Sequence, residues 1–246
     1  ESRTLVVVPC LLGSTREIQD LVRQLELHHL RNPDPSLAFA LLSDWLDAPE
    51  EHAPNDAELL DRAAMAVRLL NQKYDGEDGG PFHLLHRPRK WNASEGCWMG
   101  WERKRGKLEE LNALLLGAGD TSLDHVVGAP RALEGVRYVI TLDAGTVLPT
   151  GAAARLVGTL AHPLNRAEID ETSGRVAHGY TVLQPRVEIA PTATAQSQFT
   201  RVFSGDAAID IYTRAVSDVY QDLSGEGIYV GKGIYDVAAF AKSLEG

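Results

Sequence analysis

Apolar residues recur along this chain at two spacings, and the spacings take turns. Short unbroken runs of aliphatic and β-branched residues lie at positions 4–9, 37–44 and 136–142, bounded by turn formers, and they predict strands buried on both faces. Pro9 is expected to end the first of them. After a turn and helix cap at Gly13-Ser14-Thr15, the residues Ile18, Leu21, Val22, Leu25 and Leu30 fall at helical intervals, predicting an amphipathic helix over 17–30 that Asn32-Pro33-Asp34-Pro35 breaks. A polar loop (47–55) leads to a helix over about 56–74, an exposed turn at 75–81 and a third short strand at 82–86. Leu108, Leu111, Leu114 and Leu115 mark a further helix, and residues 151–160 another. Positions 176–187 alternate and predict one long strand carrying Gln184-Pro185-Arg186, with 191–205 a helix crossing over the sheet. Strands alternating with helices predict an α/β fold, a mixed and mostly parallel sheet with helices on both faces.

Composition narrows the function. The 246 residues are 44% hydrophobic and 24% charged, enough for one large α/β domain. A formal net charge of −10 with no balancing basic stripe argues against nucleic acid as a partner. Cys10 and Cys97 lie far apart beside apolar residues, as reduced core thiols do. No apolar run approaches the roughly 18–20 residues that span a bilayer, and the N-terminus has no signal-peptide pattern. The chain starts almost directly in a strand and ends at Ser243-Leu244-Glu245-Gly246 with no stop signal, so it is expected to be a piece of something longer.

Two of the expected strands, in the runs 37–44 and 135–149, deliver an aspartate at their carboxyl ends, Asp44 and Asp143. Ligands of open α/β sheets bind there, in the crevice between the loops that leave the strand tips. Ala144 and Gly145 leave room for a bulky anion beside Asp143, whose hard oxygens suit Mg²⁺ or Mn²⁺ bridging to phosphate. The competing reading is an aspartate that caps the helix starting near Thr150. Arg103, Lys104, Arg105 and Lys107 crowd the start of a helix, against its macrodipole, which an anion bound there would relieve. Alternatively they form a solvated first turn offset by Glu102, Glu109 and Glu110. His83 and His86, three apart on a strand, point to opposite faces and make a poor zinc pair. Residues 218–236 interleave carboxylates, glycines and tyrosines, as a sugar site does, although a turn-rich structural loop has the same look.

With these residues in order the chain resembles a nucleotide-sugar transferase of the GT-A fold and of the processive, cellulose-synthase-like type. Arg89-Lys90-Trp91-Asn92, the stretch from Trp98 to Lys107, Leu183-Gln184-Pro185-Arg186-Val187, and Ala215 to Asp222 with Gly231-Lys232-Gly233-Ile234-Tyr235-Asp236-Val237 are similar to the glycosyltransferase domain of cyclic β-1,2-glucan synthases. The resemblance covers nearly the whole chain. It implies a single GT-A domain over 1–246, truncated at its C-terminal end, with a nucleotide-binding half (1–146) and an acceptor-side half (147–246). It also implies an inverting transferase that builds β-1,2-glucan from UDP-glucose with Mg²⁺ or Mn²⁺ on a β-glucan acceptor. The parent would be a much larger protein at the cytoplasmic face of the bacterial inner membrane, with membrane-spanning segments and a phosphorylase-like region. Pro9 and Leu11 would flank the uracil, and Asp44 would bond uracil or ribose. Lys107 with Arg103 and Lys104 would bind the diphosphate, and Asp143 would hold the metal. Gln184 and Arg186 would line the sugar and acceptor side, and Gly231, Lys232 and Gly233 would form the loop beside the donor.

Two departures qualify the resemblance. The pattern expected after the fourth strand is Asp-Ala-Asp, whereas Asp143-Ala144-Gly145 stands here, which leaves a metal one protein carboxylate instead of two. The general base of such enzymes is expected beyond the Gly-Lys-Gly loop, past the end of this chain; Asp218, Asp222 and Glu226 precede the loop and are candidates for acceptor binding or support. The piece alone is therefore expected to bind donor with little turnover. Rival readings are a non-catalytic nucleotide- or glucan-binding domain and a sugar-phosphate nucleotidyltransferase. The second is disfavoured because Pro9-Cys10-Leu11-Leu12-Gly13-Ser14 lacks a glycine- and arginine-rich phosphate loop.

Overall fold

A computed structural model describes residues 2–74, 79–170, 175–185, 229 and 231–244. The chain divides into two compact units, Glu1–Leu183 with Gly231–Gly246 and Gln184–Val230. Of the second, only Gln184, Pro185 and Tyr229 are among the described residues.

The first unit is built on a seven-stranded mixed sheet. Its strands in chain order are β1 (Thr4–Leu12), β2 (Leu37–Trp45), β3 (Phe82–Arg87), β6 (Asp124–Val127), β7 (Tyr138–Thr141), β10 (Val182–Leu183) and β11 (Gly233–Asp236), and their spatial order is β10-β11-β7-β1-β2-β3-β6. The four central strands β7, β1, β2 and β3 are parallel, and the outer ones pair antiparallel. Two small hairpins lie outside this sheet, β4 (Lys90–Asn92) with β5 (Cys97–Met99) and β8 (Glu168–Ile169) with β9 (Val176–His178). The helices are α1 (Thr15–Arg31), α2 (Asp56–Lys73), α3 (Arg103–Leu115), α4 (Ala152–Ala161) and α5 (Val237–Leu244).

Both faces of the sheet are covered, as the unbroken apolar runs require. On one face Val6, Val8, Phe39, Leu41, Leu84 and Ile140 pack with Leu21 and Leu25 of α1, Val67 of α2 and Leu160 of α4. The other face carries Leu5, Val7, Ala40, Leu42, Leu85 and Val139, none of them exposed. Tyr235, the register partner of Val139, meets Phe240 of α5 there, and α5 is tied to α3 by Asn112. This is the expected Rossmann-like α/β architecture.

Three expectations need correction. β1 does not stop at Pro9 but runs to Leu12. The carbonyl of Val7 accepts from Leu142 N on the β7 side, and Pro9, two residues on, faces that same side beyond the end of β7, so its missing N–H forfeits no ladder bond. The expected long strand over 176–187 is broken: β9 pairs with β8 while β10 joins the main sheet. Gly179 makes the break at φ +75°, where an added Cβ would stand 2.1 Å from the Arg166 carbonyl oxygen. The segment around Trp91 and Trp98, expected to be a loop, is the β4–β5 hairpin, with those two tryptophans as register partners. The putting-apart of the two strand histidines follows the alternation of β3: His83 meets His125 (3.1 Å) and His86 meets Ser43 Oγ (2.9 Å).

Among the described residues no helix is long and apolar enough to cross a membrane.

Candidate functional site

β2 carries Asp44 one residue before its end, and the parallel register sets Arg87 of β3 directly beside it. The carboxylate takes Arg87 Nε on Oδ1 (2.9 Å) and Nη2 on Oδ2 (3.1 Å), the bidentate geometry a guanidinium favours. Lys107, reaching in from the first turns of α3, adds its ammonium to Oδ2 at 3.0 Å and donates to the carbonyls of Cys10 (2.8 Å) and Leu42 (3.4 Å). Asp44 is 2% exposed and Lys107 4%. Glu110, further along α3, takes Arg87 Nη1 at 3.3 Å. Burial raises the Glu110 carboxyl, but the hydrogen bonds from Ser122 and the charges of Arg87 and Lys90 hold it below the usual carboxylate range. Burial acts unopposed enough on the neighbouring Cys10 thiol to push it up to about 12.

A second cluster forms at the tip of β7. Lys104 Nζ lies 2.5 Å from Asp143 Oδ1, and Lys232 Nζ lies 2.9 Å from Oδ2. Partial burial raises the Asp143 carboxyl, but the two ammonium groups outweigh it and draw it below its ordinary value. The Asp143 carbonyl accepts from Thr146 N (2.8 Å), closing a turn, so the carboxylate serves the lysines and the capping reading falls away. Lys104 approaches because Gly231, at φ +76°, has no side chain: a Cβ there would stand 2.9 Å from Lys104 Nζ. At Gly145 an added Cβ would meet nothing within 4 Å.

The basic start of α3 joins the two clusters. Its cations oppose the macrodipole, yet each finds a carboxylate: Arg103 with Asp47 (2.9 Å) and Glu95 (3.0 Å), Lys104 with Asp143, Arg105 with Glu109 (3.0 Å), Lys107 with Asp44. Only Arg105 follows the pattern of a solvated turn offset by its own helix. Glu102 and Arg103 both adopt left-handed φ, 50° and 48°, a conformation that costs a non-glycine residue about 1–2 kcal/mol. Gly100 lies against the ion pair, since a Cβ there would stand 2.5 Å from Asp44 Oδ2 and 3.1 Å from Arg87 Nη2. Above this floor opens a cleft of about 210 Å³ lined by Pro9, Leu11, Asp44, Arg103, Lys104 and Lys107, with Trp45 and Gly100.

With that geometry in hand, the comparison with known proteins is direct. Over its whole length the chain is 48% identical to cyclic beta-(1,2)-glucan synthase NdvB of Rhizobium meliloti (strain 1021). The chain resembles one segment of a glucan synthase. It spans 9% of that protein's length. The resemblance drawn from the tryptophan-rich and Gly-Lys-Gly motifs is thus borne out, as similarity to a fragment of such a synthase. No family model matches the chain.

Against this segment of a synthase, the expected residues sort as follows. Pro9, Leu11, Asp44, Arg103, Lys104 and Lys107 share one cleft, and Asp143, Gly231, Lys232 and Gly233 meet it through Lys104. Gln184 belongs to the second unit. Arg186, Asp218, Asp222 and Glu226 lie outside the described residues. For a divalent ion, Asp143 offers a hard carboxylate, but both its oxygens hold ammonium groups, and Ala144 and Gly145 bring no side-chain donor. In this arrangement the described residues do not fit a resident divalent cation. Sequence reading missed Arg87, whose signal was one residue away: the third strand extends past His86, which sets a cation in register with the strand-tip acid. It also missed Arg89, buried, paired with Asp56 (2.5 Å) and donating to the carbonyls of Leu46 and Glu51, so that it fixes the loop after β2.

Proposed function

We propose that this chain is the donor-binding part of a glucosyltransferase that uses UDP-glucose to extend a β-1,2-linked glucan by inverting displacement, working within a larger membrane-associated protein. What supports this reading, beside the similarity to the synthase, is one observation: exposed cations, Arg103 and Lys104, rim a cleft at parallel strand tips whose floor is a closed ion-pair network. Pro9 and Leu11 flank the base. Asp44 and Lys107, tied to each other, hold the floor and the backbone of β1 in place. Lys104 and Lys232 trade Asp143 for the diphosphate, whose charge is greater and whose oxygens accept several bonds at once.

In the reaction an acceptor hydroxyl oxygen attacks the glucose anomeric carbon from the face opposite the diphosphate. The C1–O bond to the β-phosphate breaks, and its electron pair leaves with UDP. The two lysines meet the charge that develops on the leaving oxygen, so they stabilise the transition state more than the ground state. The acceptor proton passes to a carboxylate base, and no described residue is assigned that task. No step runs through a metal.

Calorimetric titration with UDP tests the donor half. Saturable binding is expected, weakened about tenfold or more by Lys104→Ala, the size of losing one charge-assisted hydrogen bond. Absence of heat at millimolar UDP would overturn the reading. A second reading, a domain that binds nucleotide or glucan without reacting, is favoured by Gly145 in place of a second carboxylate. Glucose transfer by a chain extended beyond Gly246 separates the two.

A further inference from the structure

A second cleft, of about 410 Å³, opens beside the first and shares Arg103 with it. The β4–β5 hairpin and the residues leading into α3 line it, and two indole rings stand at it in water: Trp91 is 53% exposed and Trp101 44%. Its volume is that of small-molecule sites. None of the roles given above uses it.

Both rings are fixed from behind. Trp101 lies against Gly106 of α3, where an added Cβ would be 2.6 Å from its ring carbon Cε3 and 2.2 Å from its carbonyl oxygen. The left-handed pair Glu102 and Arg103 turns the chain so that this seat forms. Such strain is retained where the surroundings enforce it, and it concentrates at binding sites. Trp91 packs edge-on against Trp98 (ring centroids 5.9 Å apart), and Trp98 bonds Ala48 through both its backbone groups, at 2.9 Å each, which anchors the hairpin to the loop after β2. Arg103, gripping Asp47 and Glu95, ties the hairpin turn to the same loop. A platform built before its ligand arrives loses little entropy on binding.

The charges of the cleft select the ligand class. Lys90 and Arg103 are balanced by Glu95 and Glu102, so nothing here draws a polyanion, in contrast to the lysines around Asp143. An apolar partner would leave those four charged groups and Ser94 without water or partners. A neutral, hydroxyl-rich ring with apolar C–H faces satisfies both parts: its faces stack on the indoles while its hydroxyls bond the carboxylates and cations.

We infer that the Trp91–Trp101 cleft is a carbohydrate subsite that holds glucose units of a β-linked glucan chain, apart from the donor cleft. The choice of glucan as the occupant rests on the proposed function. A chain held there is tethered beside the donor site through the shared wall at Arg103, so it stays close between additions.

The test is titration of the 246-residue chain with a β-1,2-linked glucose oligosaccharide, followed by tryptophan fluorescence and calorimetry, with UDP titrated separately. Saturable oligosaccharide binding is expected, weakened about tenfold in Trp101→Ala and in Trp91→Ala, partly restored in Trp101→Phe, with UDP affinity unchanged in all three. Trp91 is on a short peripheral hairpin, so its variant keeps the test open should Trp101→Ala misfold. No oligosaccharide binding at millimolar concentration, variants that bind like the parent, or competition between UDP and oligosaccharide would each overturn the subsite. Tryptophan-dependent sugar binding without UDP binding would keep the subsite and sink the donor reading instead.

Discussion

The ammonium of Lys107 stands 3.0 Å from Oδ2 of Asp44, inside a sheet edge where neither group meets bulk water. Arg87 shares the same carboxylate and continues to Glu110, so two cations and two carboxylates close on one another. Such a network contributes little net stability when complete, because desolvation offsets the attraction, but it is costly to break.

Lys107→Met should therefore destabilise the chain by about 3–5 kcal/mol, since it strips one cation from buried Asp44 and leaves two carbonyls without their donor. Asp44→Asn should cost at least as much by leaving two cations facing a single carboxylate. Urea unfolding at pH 7 measures both, and a change under 1 kcal/mol in either would show that water reaches the pair.

Gly100→Ala tests the same network without changing charge. The backbone there is not left-handed, so the penalty is one of space: the methyl group would press within 2.5 Å of Asp44 Oδ2, an atom held by two cations. A loss of about 1–3 kcal/mol, the usual cost of overpacking, is expected, together with weaker UDP binding as the floor of the cleft shifts. Parent-like stability and affinity would mean that the loop at Gly100 moves aside freely.

The central sheet was legible because β1, β2 and β7 are buried on both faces and so read as unbroken apolar runs. The acids at their tips were legible for the same reason: each ends such a run. What the acids touch was not. Asp44 and Arg87 are neighbours only through the β2–β3 register, 43 positions apart, and Lys104 meets Asp143 across 39. The β4–β5 hairpin was hidden because three-residue strands are too short to show alternation, and β6 because its Asp124-His125-Val126-Val127 mixes polar and apolar residues at a sheet edge.

Acid should unfold the chain through its buried histidines. Burial pushes His28, His83 and His86 down to about 4 from an ordinary 6.5. Between those values the unfolded chain holds protons that the folded one does not, so stability is full above pH 6.5 and declines as pH falls toward 4. Each histidine adds about 1.4 kcal/mol per pH unit to that slope. Urea midpoints at pH 7, 6 and 5 should drop steadily, with uptake of about three protons on unfolding. A flat profile from pH 7 to 5 would place these rings in contact with water.

Gly145→Asp should convert the β7 tip into a metal site. The position has open space around an added Cβ and needs no left-handed backbone, so the fold should tolerate the side chain with a change in stability below about 0.5 kcal/mol. In the parent chain a divalent ion has one carboxylate, and must displace Lys104 and Lys232 to reach it. A second carboxylate two residues on gives the lysines an alternative partner and the ion another hard oxygen. Manganese titration followed by electron paramagnetic resonance, without nucleotide, should show weak binding by the parent and binding tightened about tenfold or more in the variant. Equal affinities would mean that the lysines, not the missing carboxylate, decide metal access, and the double variant Gly145→Asp with Lys104→Met would then have to bind manganese where Gly145→Asp alone does not.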